Sequence, residues 1–144
     1  MISLSDLRRF KAEARKFSCL TCYDASMAKA MEIAQIDSIL IGDSLGMSIQ
    51  GRDSTLPVTV DDMAYHTAAV RRGNSHAFIM TDLPFMSYAT LNDALQNSRT
   101  VMQAGAQMVK MEGGAWLAET VEVLTRNGIP VCVHLGLTPQ SVHV

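Results

Sequence analysis

Five short apolar runs punctuate the 144-residue chain: Phe17 to Cys22, Ser38 to Gly42, Ala77 to Thr81, Gln107 to Met111 and Ile129 to Val133. Each has strand length. The segments between them repeat apolar residues at helical spacing, as in Met27, Ala30, Met31 and Ala34, in Leu91, Ala94, Leu95, Val101 and Met102, and in Leu117, Val121 and Leu124. Near-continuous apolar strands joined by helical crossovers predict a parallel sheet buried on both faces. That sheet is either an open doubly wound sheet or part of a closed (β/α)8 barrel. No G-x-G-x-x-G follows the first run, which weighs against a dinucleotide-binding sheet.

Helix ends carry their own signals. Thr59 with Asp62 and Thr90 with Asp93 fit capping boxes, and Gly73, Gly105 and Gly128 sit where helices should stop. The first helical stretch, Ser3 to Arg15, is charged, and the Gly-rich connection from Ser44 to Thr59 reads as a functional loop. Most methionines, including Met27, Met31, Met63, Met102 and Met108, fall at core spacing, and Trp116 is expected to pack.

With 48% hydrophobic and 18% charged residues, residues 1–144 read as one globular domain. A net charge of −2 and a pI near 6.0 supply no basic field for nucleic acid or anionic lipid. The expected partner is a small molecule or another copy of the chain. No window approaches the roughly 18 apolar residues of a membrane span, so a cytoplasmic protein with reduced thiols is expected. Cys19 and Cys22 have C-x-x-C spacing but lie in a strand, where i and i+3 face opposite sides, so they read as structural.

The strand ends carry the chemistry. The runs finish at Tyr23 and Asp24, Asp43 and Ser44, Asp82, Lys110 and Glu112, and His134. In parallel α/β folds the ligand site lies at the carboxyl ends of the strands, so these residues should share one mouth. Asp24, directly before a helical pattern, is better read as a helix cap. Asp43, Asp82 and Glu112 would repel one another unless a cation neutralised them, and oxygen ligands favour magnesium over zinc. Lys110 and Glu112, two apart, point to one face with Glu112 nearer the mouth. Gly113 and Gly114 would permit close backbone approach to a ligand. His66 and His76 read as packing or solvated residues, whereas His134 stands at the mouth.

The segments Leu20-Thr-Cys-Tyr-Asp24, Gly42-Asp-Ser-Leu-Gly-Met47, Asp53-Ser-Thr-Leu-Pro-Val-Thr59, Asp82-Leu-Pro-Phe85, Val109-Lys-Met-Glu-Gly-Gly114 and His134-Leu-Gly-Leu-Thr-Pro-Gln-Ser141 together resemble the ketopantoate hydroxymethyltransferase family. The resemblance runs from about Ser5 to Ser141 in order. It implies a (β/α)8 barrel that uses Mg2+ to transfer a one-carbon unit from 5,10-methylenetetrahydrofolate to 3-methyl-2-oxobutanoate in pantothenate and coenzyme A biosynthesis. By the same resemblance Asp43, Asp82 and Glu112 match the magnesium residues, and Asp43, Ser44, Asp82 and Lys110 surround the keto acid. His134 matches a histidine at the pocket wall. Val133 stands where the family has glycine.

A closed barrel of this type needs about 250 residues, and five strands cannot supply eight. The expectation is therefore a barrel truncated to about its first five β/α units. By the resemblance, the family's glutamate proton acceptor follows a later strand and is expected beyond Val144, so no residue of the chain is assigned that role. Such a chain would be an inactive fragment, or would work as a homo-oligomer or with a complementary C-terminal fragment. Two other functions compete. One is a magnesium enzyme of the phosphoenolpyruvate mutase and isocitrate lyase group; the other is a non-catalytic keto-acid-binding or assembly subunit.

Overall fold

All five apolar runs become strands of a single parallel sheet: β1 Cys19–Thr21, β2 Ser38–Ile41, β3 Phe78–Asp82, β4 Met108–Glu112 and β5 Val131–His134, in a computed structural model whose described residues are 1–142. Val144, beyond which the proton acceptor is expected, lies outside the described residues. The helices are α1 Leu4–Ala12, α2 Ala25–Ile33, the short α3 Leu45–Ser48, α4 Val60–Gly73, α5 Leu91–Gln103 and α6 Ala118–Arg126. Strand order follows the sequence from β1 to β5, with every neighbouring pair parallel. A doubly wound sheet reverses its strand order at a switch point. Among the described residues there is no reversal, which decides between the two architectures.

Right-handed crossovers that always step the same way leave their helices on one face. Accordingly α2, α4, α5 and α6 pack as successive neighbours in one layer. The result is the wall of a (β/α) barrel over five strands. The pleat assigns the two faces. Ile39, Ile41, Ile79, Thr81, Val109 and Met111 point at the helices and are 1% exposed or less. Leu40, Met80, Met108, Lys110 and Cys132 share the opposite face and are only half-buried.

The amino ends of the strands are closed from below. Ile2 and Phe10 pack on Phe78, with Leu4, Leu7 and Met108 against them. The Ile2 N–H donates to the His76 carbonyl at 2.7 Å, and the Gln107 amide bridges the Ile2 carbonyl and the Ile79 N–H. The carboxyl ends are thus left as the open mouth.

Local signals mostly act as expected. Thr59 and Asp62 form a complete capping box, as do Ser3 and Asp6 at the start of α1. Thr90 forms only half of one: it accepts from the Asp93 N–H, while the Asp93 carboxylate takes the Thr90 hydroxyl instead of its N–H. Met27 is not core, being 52% exposed on the outer side of α2, whereas Met31 and Met63 are buried. Gly105 and Gly128 stop their helices in the left-handed region, at φ 119° and 81°.

Gly73 has a different task. It is the last residue of α4, and a Cβ there would overlap the Ala25 backbone at the start of α2. The glycine lets two helices of the layer touch. Gly73→Ala should therefore cost about 1–3 kcal/mol through overpacking. A thermal melt lowered by several degrees is expected; an unchanged melt would show that α2 shifts away freely.

Candidate functional site

Asp43 directly follows Gly42 at the end of β2, Asp82 closes β3, and Glu112 closes β4. All three are buried, at 8%, 5% and 6% exposure. They belong to one hydrogen-bonded network. The Asp43 N–H donates to Asp82 Oδ2 at 3.1 Å, and Lys110 Nζ donates to Asp82 Oδ1 at 2.8 Å. Register pairs Asp82 with Lys110 and Glu112 with His134, so the four side chains start from the same face of the sheet.

Gln140, in the 3-10 turn Pro139–Ser141 after β5, joins the remaining parts. Its N–H donates to Glu112 Oε1 at 2.6 Å, and its Nε2 donates to Asp43 Oδ2 at 2.7 Å and to the Leu83 carbonyl at 3.1 Å. Its Oε1 accepts from the Tyr88 hydroxyl at 2.7 Å. Sequence reasoning missed both Gln140 and Tyr88. The only signal was Gln140 as one of the polar residues within the quoted His134 to Ser141 segment, and no spacing rule says that a loop folds back across a mouth.

Burial is the main cause of the electrostatics. It lifts Asp82 to about 6, against the pull of Lys110, and the neighbouring Asp43 charge adds to the rise. Burial also raises Asp43, opposed by the Gln140 amide and by Lys110. For Lys110, burial acts downward, but Asp82 and the other carboxylates outweigh it and keep the ammonium charged. Burial pushes Tyr88 up to about 12, so its hydroxyl stays protonated and can donate. Because the folded value of Asp82 lies above its ordinary one, the folded chain is favoured by this group below about pH 4. That contribution is lost as pH rises through about 6.

Among the described residues no three carboxylate, histidine or cysteine side chains stand close enough to enclose an ion unaided. The three acids share a mouth without forming a ready-made cage. Lys110 pairs with Asp82, not Glu112. The Ser44 hydroxyl sits 3.0 Å from the Tyr23 hydroxyl at the mouth. His134 Nε2 lies 2.7 Å from the Leu137 carbonyl, which can only accept, so this nitrogen carries the proton and the ring anchors its own loop.

Val133 pairs with Met111 and packs on the helix side, away from the acids, so its bulk does not enter the mouth. Asp24 caps α2, accepting from the Met27 N–H at 2.8 Å. His66 ties α4 to the Tyr23 carbonyl at 2.7 Å. Cys19, Cys22 and Cys132 are all free thiols; Cys19 is exposed and Cys22 buried. Trp116 departs from the packing expectation: it is 63% exposed, with its ring parallel to Tyr88. Gly113 makes room for that indole, which a Cβ would strike. Beside Glu112 opens a cavity of about 340 Å³ lined by Phe85, Met86, Tyr88, Trp116 and Gln140.

A five-strand parallel wall with acids and a lysine gathered at its carboxyl edge defines the class: a (β/α)-barrel protein with its site at the strand ends. Solved structures agree on the fold. 2,3-Dimethylmalate lyase, itself a member of the phosphoenolpyruvate mutase and isocitrate lyase superfamily, matches with a TM-score of 0.68 at 16% identity, over 92% of this chain and 53% of its own. Oxaloacetate acetylhydrolase matches with a TM-score of 0.67 at 12% identity, over 91% and 52%.

The family model of ketopantoate hydroxymethyltransferase matches residues 1–144, and the chain belongs to that family. It is 89% identical over its whole length to 3-methyl-2-oxobutanoate hydroxymethyltransferase of Acinetobacter baumannii (strain AYE), covering 54% of that protein. The corresponding enzyme of Psychrobacter sp. (strain PRwf-1) is 67% identical, with 53% covered. The chain thus spans about half the length of the curated relatives it matches.

If Asp43 helps to hold Asp82 protonated, Asp43→Asn should lower the Asp82 midpoint from about 6. Carboxyl carbon-13 NMR on the metal-free protein reads this directly. A midpoint that stays in place would leave burial as the sole cause.

Proposed function

We propose that this chain carries the magnesium and keto-acid portion of the 3-methyl-2-oxobutanoate hydroxymethyltransferase reaction. In that reaction a one-carbon unit from 5,10-methylenetetrahydrofolate is added to 3-methyl-2-oxobutanoate, giving ketopantoate. What supports the reading is the convergence of Asp43, Asp82, Glu112 and Lys110 on one mouth. Family membership over residues 1–144 favours this chemistry over that of the phosphoenolpyruvate mutase and isocitrate lyase group.

The donor set suits a hard cation. Three carboxylates stand together, Cys132 nearby is held protonated by burial, and His134 Nε2 is engaged with a carbonyl. Magnesium keeps several waters and takes one or two carboxylates together with substrate oxygens, which fits acids that adjoin without enclosing an ion. Asp43, Asp82 and Glu112 would hold it, directly or through water. Bound there, magnesium supplies the Lewis acid that polarises the keto carbonyl and acidifies the adjacent C–H.

The chain's own residues do the rest. Lys110 uses one N–H on Asp82 and has others to direct at the substrate carboxylate. Ser44, steadied by Tyr23, offers a hydroxyl at the rim, and His134 stiffens the opposite wall through Leu137. The proton acceptor is assigned to none of these residues; by family resemblance it is a glutamate after a later strand, beyond Val144. We place the reaction in the cytoplasm, and in a homo-oligomer as the family resemblance implies.

A charge-assisted hydrogen bond from Lys110 to the substrate is worth about 1.5–3 kcal/mol. Lys110→Met should then raise the keto-acid Kd by roughly 10- to 150-fold in a protein whose circular dichroism is unchanged. Unaltered affinity would confine Lys110 to balancing Asp82.

General-base removal of a proton contributes about 100- to 10,000-fold in rate. The 144-residue chain should therefore bind keto acid yet transfer little, gaining activity when a complementary C-terminal fragment is added to a coupled assay. Full turnover by the chain alone would refute the assignment of the acceptor to a later strand.

A further inference from the structure

We propose that Gln140 is the positioning residue of this site, a latch from the loop after β5 that fixes which oxygen of Asp43 and of Glu112 faces a cation. The inference rests on the metal reading above. Gln140 is 5% exposed and crosses the mouth to reach the ends of β2 and β4 together. Its amide orientation is set by chemistry. The Asp43 carboxylate and the Leu83 carbonyl can only accept, so the NH2 group must face them, and Oε1 must face the Tyr88 hydroxyl.

Both donors of the amide are thereby used, and Tyr88 supplies the one donor that Oε1 needs. The Tyr88 hydroxyl in turn lies 3.4 Å from the Glu112 N–H, so the same residue steadies the Glu112 backbone. Each acid is left with one oxygen taken and one open. Gln140 takes Oδ2 of Asp43 and Oε1 of Glu112, and among the described residues no side chain hydrogen-bonds Oδ1 or Oε2. A carboxylate pinned by one oxygen cannot spin about its last torsion, so the free oxygen of each acid is aimed before any ion arrives. Outer partners of this kind usually change metal affinity by about 10- to 100-fold when removed.

Glutamate at this position would set a third carboxylate against Asp43, and leucine would keep the volume while removing the side-chain bonds. The probe is Mn2+, followed by electron paramagnetic resonance with 3-methyl-2-oxobutanoate present throughout, alongside thermal melts in EDTA. Gln140→Leu should raise the Mn2+ Kd by roughly 10- to 100-fold. Tyr88→Phe should raise it less, and the loss in the double variant should fall well short of the two single losses combined, because Tyr88 acts mainly through Gln140 and otherwise only on the Glu112 backbone.

If the melts in EDTA fall while the folded variants keep wild-type Mn2+ affinity, Gln140 merely packs the loop and the proposal is overturned. Tighter binding in Gln140→Leu overturns it too, since the amide would then compete with the ion. Should Gln140→Leu fail to fold, Tyr88→Phe decides alone, with unchanged affinity counting against the latch. Wild-type protein that binds no Mn2+ would instead sink the metal reading itself.

Discussion

Asp82 is taken out of water beside a second buried acid, and the ammonium of Lys110 only partly offsets that cost. The carboxyl is left at about 6, poised between the proton and the charge it would give to a cation. Such an arrangement persists only where neighbours over-determine it. Thr81, one residue earlier, is locked to Thr67 of α4, and Ile79, Val109 and Met111 anchor the same strands in a core with no exposure to speak of. The helix-covered face of the sheet is rigid so that the opposite face can hold charge.

Closure at one end and chemistry at the other follow from the same pleat. Phe78 and Met108 start the face that ends in Asp82, Lys110 and Glu112, so one side of two adjacent strands passes from apolar plug to ionised mouth within five residues. Ile2 and Phe10 seal the amino ends, and Gln140 returns over the carboxyl ends. A loop on the fifth strand is thus tied to the second and fourth, which makes the mouth a single unit instead of a row of independent strand tips.

Much of this was legible in the sequence because it depends on local pattern. Strand runs were placed within a residue or two, since apolar periodicity and glycine stops are read directly from neighbours. That Asp43, Asp82, Lys110, Glu112 and His134 share one edge was legible because parallel strands must end there together. What stayed hidden depends on distant partners. Strand order is set by crossover direction, which local pattern does not carry, so the expectation of a barrel over a doubly wound sheet came from the family resemblance and not from periodicity. Lys110 chose Asp82 over Glu112 because register, not sequence proximity, puts the two opposite each other. Trp116 and Met27 look like core residues by type and spacing, yet both lie outside it. Gln140 had to wait for a loop whose path no periodicity describes.

If the gathered acids form one site, keto acid and cation bind there together. Calorimetric titration of 3-methyl-2-oxobutanoate into the protein, once with Mg2+ and once with EDTA, tests it most directly. A binding heat with Mg2+ is expected, with an affinity weakened by roughly 100-fold or more without it, equivalent to about 2.7 kcal/mol or more. Equal affinity in the two titrations would contradict a shared site.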